Sequence, residues 1–383
     1  MRTTSKSRLA VLLGVGACAL ATLLLLEVEV EWKMIALLAA VAAVLVASEK
    51  TGLRVRFEQA CSRHGSLTLW LTFAAVAVVA GILHDAHFAL LMLATVALYA
   101  TACLGLTIQF GYAGIANFAG AAFFGIGCYS AAVLATHTPL PHLLVIFAAG
   151  CLAALIGSVL ILPILRTRGH YAALITIAFG ILFKTFIEVN DALGGPQGLK
   201  VPGLNLFGWQ FNEPVHLAAG IDGSFYLNYV ALASVLAACA FIFVRRLERS
   251  WIGLSFDAVR LDEIAAAASG IDIARWKILA FVLGNFLVGI AGAVYAMMSG
   301  FIAPNNFTFG DSLILVSIVI LGGVGNPLGV FVAALLMLVL PEKLQAIQEY
   351  RFLLYALLVI LILLYRPAGL LPRQPRKYLT AGS

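Results

Sequence analysis

The feature of this sequence that most restricts its fold is a series of long apolar runs without a charged residue. Phe88–Ile108 and Leu143–Leu165 are clear examples. An α-helix needs about 20 such residues to cross the hydrocarbon core of a bilayer. Hydrophobic residues make up 62% of the chain and charged residues only 11%, against roughly 25% charged residues in a soluble domain. The sequence therefore predicts an all-α polytopic membrane protein and disfavours a β-barrel, whose strands alternate apolar and polar residues.

Spanning length and hydropathy together predict roughly ten to twelve membrane segments. Whether each of the shorter runs spans the bilayer or forms a half-helix stays open. The segments are Leu9–Leu26, Met34–Ser48, Leu67–Leu83, Phe88–Ile108, Gly114–Thr136, Leu143–Leu165, Tyr171–Glu188, Phe225–Val244, Ile278–Met298, Ser312–Leu321, Leu328–Pro341 and Phe352–Tyr365. The first of them follows a basic start that resembles a signal peptide, but its apolar run continues past the small residues, so we expect an uncleaved helix.

Lysine and arginine residues mark the ends of alternate segments. They cluster near the N-terminus, between residues 50 and 63, at 166–168, throughout 245–277 and near the C-terminus. The positive-inside rule predicts that this side is cytoplasmic and that both termini lie there. The same arrangement explains the net charge of +6 without nucleic acid as a partner. We expect residues 1–66 to form an N-terminal two-helix extension with a basic cytoplasmic loop, and 67–383 to form the main transmembrane domain.

One cytoplasmic segment, Arg260–Lys277, is acidic and alanine-rich where the rest of the chain is apolar. Its apolar residues recur at helical spacing: Leu261, Ile264, Ala265 and Ala268. Gly270 is a natural helix stop and Asp272 can cap a second helix. This pattern predicts a short amphipathic helix just beneath the bilayer. It either lies on lipid as a linker or docks into a protein groove, and its small side chains favour the groove.

Polar residues inside the apolar segments are the candidates for a pathway. Tyr112 and Asn117 occur in Gly111–Leu134, a stretch rich in glycine and alanine whose spacing also suits plain helix packing. Asn285 interrupts an apolar helix, where an interhelical hydrogen bond is the simpler interpretation. Lys184 and Glu188 stand four residues apart and can pair across one helical turn.

Other motifs exclude several classes of function. The stretch Leu321–Gly329 contains Gly-x-Gly but follows no strand, so it predicts a tight packed turn or a gate element rather than a nucleotide site. His84-Asp85-Ala86-His87 is interpreted as an interfacial turn, and no metal site is predicted. The sequence has no P-loop motif and no catalytic constellation. We therefore expect neither ATP binding nor catalysis in this chain.

Several blocks, in order, resemble one family. Glu263–Gly270 reads EIAAAASG and resembles the EAA coupling loop of ABC-importer permeases, with one extra residue. Together with Gly111–Leu134, Leu165–Gly180 and Gly300–Glu342, it resembles the LivM-type permeases of branched-chain amino acid ABC transporters. Within GIANFAG, Ile115 and Gly120 stand where that family often has glutamine and histidine, which leaves the exact substrate open.

The resemblance implies roles for particular residues. Residues 67–383 would be the ABC permease domain, with a coupling loop at 245–277. Contact with an ATPase subunit is implied for Leu261, Glu263, Ile264, Ala265, Ala266 and Gly270. A substrate path is implied at Tyr112, Asn117, Gly120 and Asn285. The loop after Val189 either contacts a binding protein through Asn190, Asp191 and Gln197 or is an ordinary solvated loop.

The resemblance also implies partners. These are a LivH-like second permease, two ATPase subunits that bind ATP and Mg²⁺, and a periplasmic substrate-binding protein, assembled in the bacterial inner membrane. The expected activity is import of branched-chain or other hydrophobic amino acids, with no cofactor in this chain. Import of urea, short amides or aromatic acids is the alternative within the family. An ion-coupled secondary transporter is a more distant alternative, because such proteins usually carry ionisable residues deep in their helices.

Overall fold

The computed structural model describes residues 2–27, 65–167, 171–206, 208–217, 221–343, 350, 353, 355–357, 360, 364, 369–371 and 373. Within these ranges the apolar runs form helices, so the prediction of an all-α membrane protein is confirmed. The helices are α1 (Arg2–Glu27), α2 (Gly65–Ile82), α3 (His87–Thr107), α4 (Gly120–His137), α5 (His142–Leu165), α6 (Tyr171–Val189), α7 (Tyr226–Arg249), α8 (Trp251–Leu261), α9 (Glu263–Ala268), α10 (Ile273–Ser299), α11 (Phe309–Gly322) and α12 (Pro327–Lys343).

In the part of the chain that the structure describes, seven helical stretches are long and apolar enough to cross a membrane. They are His87–Tyr112, Gly120–His137, His142–Leu165, Tyr171–Val189, Tyr226–Arg249, Ile273–Ser299 and Pro304–Gly322. Two shorter apolar helices, Val11–Leu26 and Trp70–Ile82, lie nearer the N-terminus. The predicted segment Met34–Ser48 lies outside the described residues, and Phe352–Tyr365 is described only in part.

The predicted segment Gly114–Thr136 is not one continuous helix. After α3 the chain forms a π-helical turn at Ile108–Tyr112 and runs without regular helix until α4 begins at Gly120. Gly114 has φ +70°, a left-handed conformation that glycine adopts without steric cost. Hydropathy alone predicted a continuous span because the residues on both sides of the break are equally apolar.

Helix α10 lies at the centre of the described fold and packs against α3, α4 and α5. Glycines bring these backbones into direct contact. A Cβ atom on Gly127 of α4 would lie 2.1 Å from the carbonyl oxygen of Gly289 in α10, and one on Gly105 of α3 would lie 2.4 Å from that of Gly284. Small residues at helix interfaces allow this close packing within a bilayer, so the interpretation of the glycine- and alanine-rich segment as a packing element is confirmed.

Helices α11 and α12 form a hairpin through the stretch Leu321–Gly329. The two helices touch at Gly322 and Gly329, where an added Cβ on either residue would overlap the backbone of the other. Asn326 accepts a hydrogen bond from the amide of Leu328 at 3.1 Å, which fixes the start of α12. This stretch forms a tight packed turn, which is one of the two predicted alternatives.

The connection between α6 and α7, expected as a loop, contains short strands. It begins with two 3-10 turns, Asp191–Leu193 and Gly195–Gln197. The strands are β1 (Leu199–Lys200), β2 (Asn205–Leu206), β3 (Trp209–Gln210), β4 (Val215–Leu217) and β5 (Ile221–Gly223), and a sixth, β6 (Phe301–Ile302), follows α10. The antiparallel pairs are β1–β6, β2–β3 and β4–β5. The β1–β6 pair ties this connection to the end of α10.

Candidate functional site

Three amide side chains meet where the π-helical turn faces α10. Gln109 Nε2 donates a hydrogen bond to Asn285 Oδ1 at 3.0 Å. Asn117 Nδ2 donates to Gln109 Oε1 at 2.8 Å and lies 3.3 Å from Asn285 Oδ1. All three side chains are fully buried. We call Gln109, Asn117 and Asn285 the amide triad.

The break in the helix positions the triad. Gln109 lies in the π-helical turn, and its backbone carbonyl accepts a hydrogen bond from the amide of Ile115 at 2.8 Å. Asn117 lies in the nonhelical stretch, where its Oδ1 accepts a hydrogen bond from the amide of Ala119 at 2.9 Å. Asn285 lies near the middle of α10. A π-helical turn inside a helix often marks a functional position, and here it brings polar groups from distant parts of the chain together.

The triad contains a polar group without a partner. Asn285 Nδ2 is buried and has no hydrogen-bond partner among the described residues. It faces α5, where a Cβ added to Gly157 would lie 2.5 Å from this nitrogen. A buried donor without a partner costs free energy. The triad therefore keeps one buried amide donor that no described residue satisfies.

Neighbouring helices hold the polypeptide on both sides of the break. The amide of Phe118 donates to Thr176 Oγ1 of α6 at 3.0 Å, and the amide of Ala121 donates to Ser312 Oγ of α11 at 3.0 Å. Both hydroxyl groups are buried. These bonds satisfy backbone donors that the interrupted helix leaves unpaired, as the interior of a membrane protein requires.

The structure brings together only part of the predicted path. Asn117 and Asn285 belong to the triad, and the interhelical hydrogen bonding predicted for Asn285 is confirmed. Gly120 instead begins α4 and packs against Leu106 and Leu315. Gln109 was missed, although an amide within an apolar run is the signal that led to Asn285.

Tyr112 lies at a second polar cluster, centred on Arg373. The Arg373 guanidinium forms a bidentate ion pair with Asp257 of α8, with Nη–Oδ distances of 2.8 and 3.1 Å. Arg373 Nη1 also lies 3.4 Å from the carbonyl oxygen of Gly111, and the guanidinium covers the ring of Tyr112 at 4.8 Å. Glu248 Oε1, at the end of α7, lies 3.6 Å from Arg373 Nε. Sequence reasoning missed this cluster because its members are far apart in the chain.

The ion pair is largely withdrawn from solvent. The side chains of Arg373 and Asp257 are only 12% and 8% exposed. Burial alone would lower the pKa of Arg373, but the hydrogen bonds and the charge of Asp257 outweigh it and leave the pKa above its ordinary value. Arg373 therefore stays charged, and separating it from Asp257 would break a buried ion pair, which is strongly destabilising.

The alanine-rich segment forms α9, which is shorter than predicted. Asp262 is its N-cap, and Asp262 Oδ1 accepts hydrogen bonds from the amides of Ile264 and Ala265 at 2.9 and 3.1 Å. Leu261 therefore ends α8. The periodicity predicts one helix for Leu261 and Ile264, and this prediction is wrong. An N-cap aspartate interrupts the helix because its side chain bonds the backbone.

The two bulky side chains of this segment point outward. Leu261 is 76% exposed and Ile264 is 83% exposed, whereas Ala266 is buried against the rest of the protein. Ala265 and Gly270 are exposed, and Gly270 has φ +80°. The segment thus presents an apolar surface outward, whereas Ala266 packs against the rest of the protein.

Polar contacts hold α9 against the beginning of α10. Lys277 Nζ donates to Glu263 Oε1 at 2.6 Å. Asp272 caps α10, as the sequence predicted, by accepting a hydrogen bond from the amide of Arg275 at 3.2 Å. The rings of Trp251 and Trp276 meet edge to face, with centroids 5.4 Å apart. These contacts give α8, α9 and the first turns of α10 one defined arrangement.

The opposite end of the molecule carries the remaining predicted site residues. Asn190 accepts a hydrogen bond from the amide of Ala192 at 3.1 Å and so caps the first 3-10 turn. Asp191 and Gln197 are exposed in the two turns. The predicted pair of Lys184 and Glu188 is confirmed at 3.2 Å. These residues form one surface at the end of α6.

The predicted turn between α2 and α3 contains a close pair of polar side chains. His84 Nε2 lies 3.1 Å from Asp85 Oδ2. Across the described ranges, no group of three or more histidine, cysteine, aspartate or glutamate side chains is arranged to hold a metal ion.

Comparisons with known proteins agree with this architecture. A family model described as the branched-chain amino acid transport system / permease component matches residues 88–365. The LivM permease protein of the high-affinity branched-chain amino acid transport system of Escherichia coli K12 is 33% identical over 70% of this chain and 66% of its own length. The Salmonella typhimurium LivM protein is 32% identical over 73% of this chain and 69% of its own length.

The LivH permease protein of Escherichia coli K12 is also similar, with 26% identity over 72% of this chain and 91% of its own length. The chain spans about two thirds of the length of the LivM relatives that it matches. No solved structure matches the chain at a significant level. Because the family model covers most of the chain, including the amide triad and α8 to α12, this multi-pass membrane protein belongs to the family of branched-chain amino acid transport permease components.

Proposed function

We propose that this chain is a permease subunit of an ABC importer and forms part of the path for branched-chain or other hydrophobic amino acids. The single observation that carries the proposal is the buried amide triad at a helix break, inside a chain of this permease family. Amides can hydrogen-bond both the ammonium and the carboxylate of an amino acid. They carry no fixed charge that would hold one end of the zwitterion too tightly.

The proposed assembly contains a LivH-like second permease, two ATPase subunits and a periplasmic binding protein, in the bacterial inner membrane. ATP and Mg²⁺ would bind to the ATPase subunits, and this chain would carry out no hydrolysis. Support comes from the similarity to both LivM and LivH proteins. Residues 67–383 would be the permease domain, and 1–66 an extension outside the shared core.

The proposed orientation places α8 and α9 in the cytoplasm. Arg246 and Arg249 lie in the last turn of α7, directly before this segment, and the positive-inside rule favours the cytoplasm for such an end. Both termini would then be cytoplasmic. The surface with Asn190, Asp191 and Gln197 would face the periplasm, where the binding protein delivers its substrate.

In the proposed mechanism α9 is the coupling helix. Leu261 at the end of α8 and Ile264 and Ala265 of α9 would enter a groove of an ATPase subunit, because an exposed apolar helical surface suits a protein groove. Glu263 and Gly270 would shape the helix and its end. ATP binding would move this segment and switch the membrane helices between outward-open and inward-open states.

Transport in proteoliposomes tests this proposal. The full complex would be reconstituted and offered labelled leucine, isoleucine, valine and urea, with ATP inside the vesicles or an ion gradient alone. We expect ATP-dependent uptake of the branched-chain amino acids. ATP-dependent uptake of urea alone would favour the second candidate, an importer of urea or short amides, for which the all-amide triad is also suited. Uptake driven by an ion gradient without ATP would contradict both.

Glu263→Lys tests the coupling helix in the same assay. The substitution places a second ammonium beside Lys277 and should displace α9, so we expect loss of ATP-dependent uptake. Glu213→Lys is the matched control, because Glu213 is exposed in the connection between α6 and α7 and the charge change is identical. Equal uptake in the two variants would contradict the assigned role of α9.

A further inference from the structure

Arg373 joins parts of the molecule that the proposed mechanism requires to move together. We propose that Arg373 is a positioning residue that transmits movement of α8 and α9 to the amide triad. The inference rests on the proposed function, because it requires that an ATPase acts on α9. Movement that the ATPase imposes on α9 would reach the substrate path at the amide triad through the side chain of Arg373.

The first step of the route is the connection between α9 and Arg373. Asp262 is the capping residue between α8 and α9: its amide donates to the carbonyl oxygen of Ala258 in α8 at 3.2 Å, and its side chain caps α9. A displacement of α9 therefore acts directly on α8. Asp257 lies in α8 and holds Arg373 through two hydrogen bonds, a geometry in which arginine resists both rotation and separation.

The second step connects Arg373 to the π-helical turn. Arg373 Nη1 donates to the carbonyl oxygen of Gly111 at 3.4 Å, and the guanidinium lies over the ring of Tyr112. The stem of Arg260 in α8 lies so close to Gly114 that an added Cβ would be 3.0 Å from its Cγ. Helix α8 thus contacts the break directly and also through Arg373.

The third step lies within the turn itself. Gln109 and Gly111 belong to the same π-helical turn, so a shift of the Gly111 carbonyl changes the position of the Gln109 side chain. Gln109 supplies two of the hydrogen bonds of the triad, one to Asn285 and one from Asn117. Because protein cores are closely packed, this short turn cannot absorb a displacement without moving the triad.

The backbone beside Arg373 is attached to a different part of the fold. The amides of Leu370 and Leu371 donate to the carbonyl oxygens of Leu321 and Gly322 at 2.7 and 3.1 Å. Asn326 Nδ2 donates to the carbonyl oxygen of Leu371 at 3.0 Å. Arg373 is therefore anchored on the hairpin of α11 and α12 while its guanidinium binds α8. This arrangement makes it a pivot between the hairpin and the coupling segment.

The experiment measures amino acid uptake per ATP hydrolysed by the complete reconstituted complex. Arg373→Gln removes the charge, and Arg373→Lys keeps the charge without the bidentate fork. The matched control is Arg166→Gln, which removes an exposed arginine directly after α5, outside the coupling loop. We expect Arg373→Gln to lower uptake per ATP by roughly 2- to 30-fold, the range found for residues that carry coupling between sites. Arg373→Lys should fall between Arg373→Gln and the wild type, and Arg166→Gln should match the wild type.

Asp257→Asn provides a second route to the same test. It should lower uptake per ATP as Arg373→Gln does, and the double variant should be no worse than either single variant, because both break one contact. If the Arg373→Gln variant does not assemble with its partner subunits, uptake per ATP of the Arg373→Lys and Asp257→Asn variants tests the inference instead.

An unchanged ratio in assembled complexes would overturn the inference. So would a parallel fall of uptake and ATP hydrolysis, which indicates only a loss of folded complex. If the wild-type complex shows no ATP-driven uptake, the proposed function fails instead. The two failures are therefore distinguishable.

Discussion

The side-chain amide of Gln109 donates a hydrogen bond of 3.0 Å to Asn285 across 176 positions of the chain. The bond joins the π-helical turn to the central helix α10. Asn117 completes the group from the nonhelical stretch that follows the turn. The three residues connect the break in the membrane domain to the helix around which the described fold is packed.

Asn285→Leu should disrupt the path more than it destabilises the protein. The substitution removes the acceptor of Gln109 Nε2, and interhelical hydrogen bonds in membranes contribute about 0.6 kcal/mol on average. We expect a small loss of unfolding free energy, of about 1 kcal/mol, together with a large fall in uptake. Thermal unfolding of the purified complex and uptake in proteoliposomes measure the two effects.

The matched control for this prediction is Thr101→Val. Thr101 is also fully buried, but its hydroxyl bonds the carbonyl oxygen of Ala97 within its own helix. It should therefore retain uptake. Normal uptake by Asn285→Leu would show that the triad serves packing alone.

Gly157→Ala should act on the triad from the opposite side. The added methyl group would lie 2.5 Å from Asn285 Nδ2, closer than such atoms approach, so Asn285 or α5 must shift. We expect reduced uptake and a lower unfolding temperature, because an added methylene in a packed core typically costs about 1–3 kcal/mol. Uptake assays and thermal unfolding check both expectations.

Gly180→Ala is the control for the glycine substitution. Gly180 lies within α6, and nothing is within 4 Å of the position that its Cβ would take. Alanine favours a helix over glycine by about 1 kcal/mol, so this variant should be as stable as the wild type or more so. If both alanine variants behave alike, contact with Asn285 is not the cause of the Gly157 effect.

Local patterns in the sequence predicted the local features of this fold. The apolar runs gave most of the helices, and Asp272 caps α10 as its position before an amphipathic run suggested. The spacing of Lys184 and Glu188 predicted their pairing. In each case the interacting atoms lie within one helical turn or belong to one repeating pattern.

Long-range contacts were beyond such patterns. Arg373 and Asp257 are 116 positions apart, and nothing local identifies either as the partner of the other. The break before Gly120 was missed because apolar residues continue through it. Leu261 was assigned to the wrong helix, because apolar periodicity contains no information on side-chain capping. The Asp262 side chain accepts hydrogen bonds from the amides of Ile264 and Ala265 and so begins a new helix.

Tyr229→Phe should loosen the connection between α6 and α7. The Tyr229 hydroxyl lies 2.7 Å from Asn212 Oδ1 and 3.0 Å from the carbonyl oxygen of Met297, and it accepts a hydrogen bond from the amide of Leu204 at 3.2 Å. Its loss leaves buried groups unpaired, at a cost of about 1–3 kcal/mol. Limited proteolysis should cut this connection faster than in the wild type.

Tyr226→Phe is the comparison for this variant. Tyr226 is half-buried at the start of the same helix and packs its ring against Phe225. Removing its hydroxyl keeps that ring contact, so cutting should proceed at the wild-type rate. Equal cutting of the Tyr229 and Tyr226 variants would mean that the Tyr229 hydroxyl does not hold the connection.

Asp262→Ala should weaken the coupling helix while keeping its exposed apolar side chains. The Asp262 side chain satisfies two amides at the start of α9, and loss of an N-cap costs about 1 kcal/mol. If α9 must be helical to bind the ATPase subunits, their affinity for this permease should fall about fivefold, the equivalent of that free energy. Titration of the ATPase subunits onto the permease pair in nanodiscs measures the affinity.

Asp262→Asn should retain most of the affinity, because asparagine caps helices about as well as aspartate. An equal loss in both variants would instead indicate that the negative charge of Asp262, rather than its cap, makes the contact.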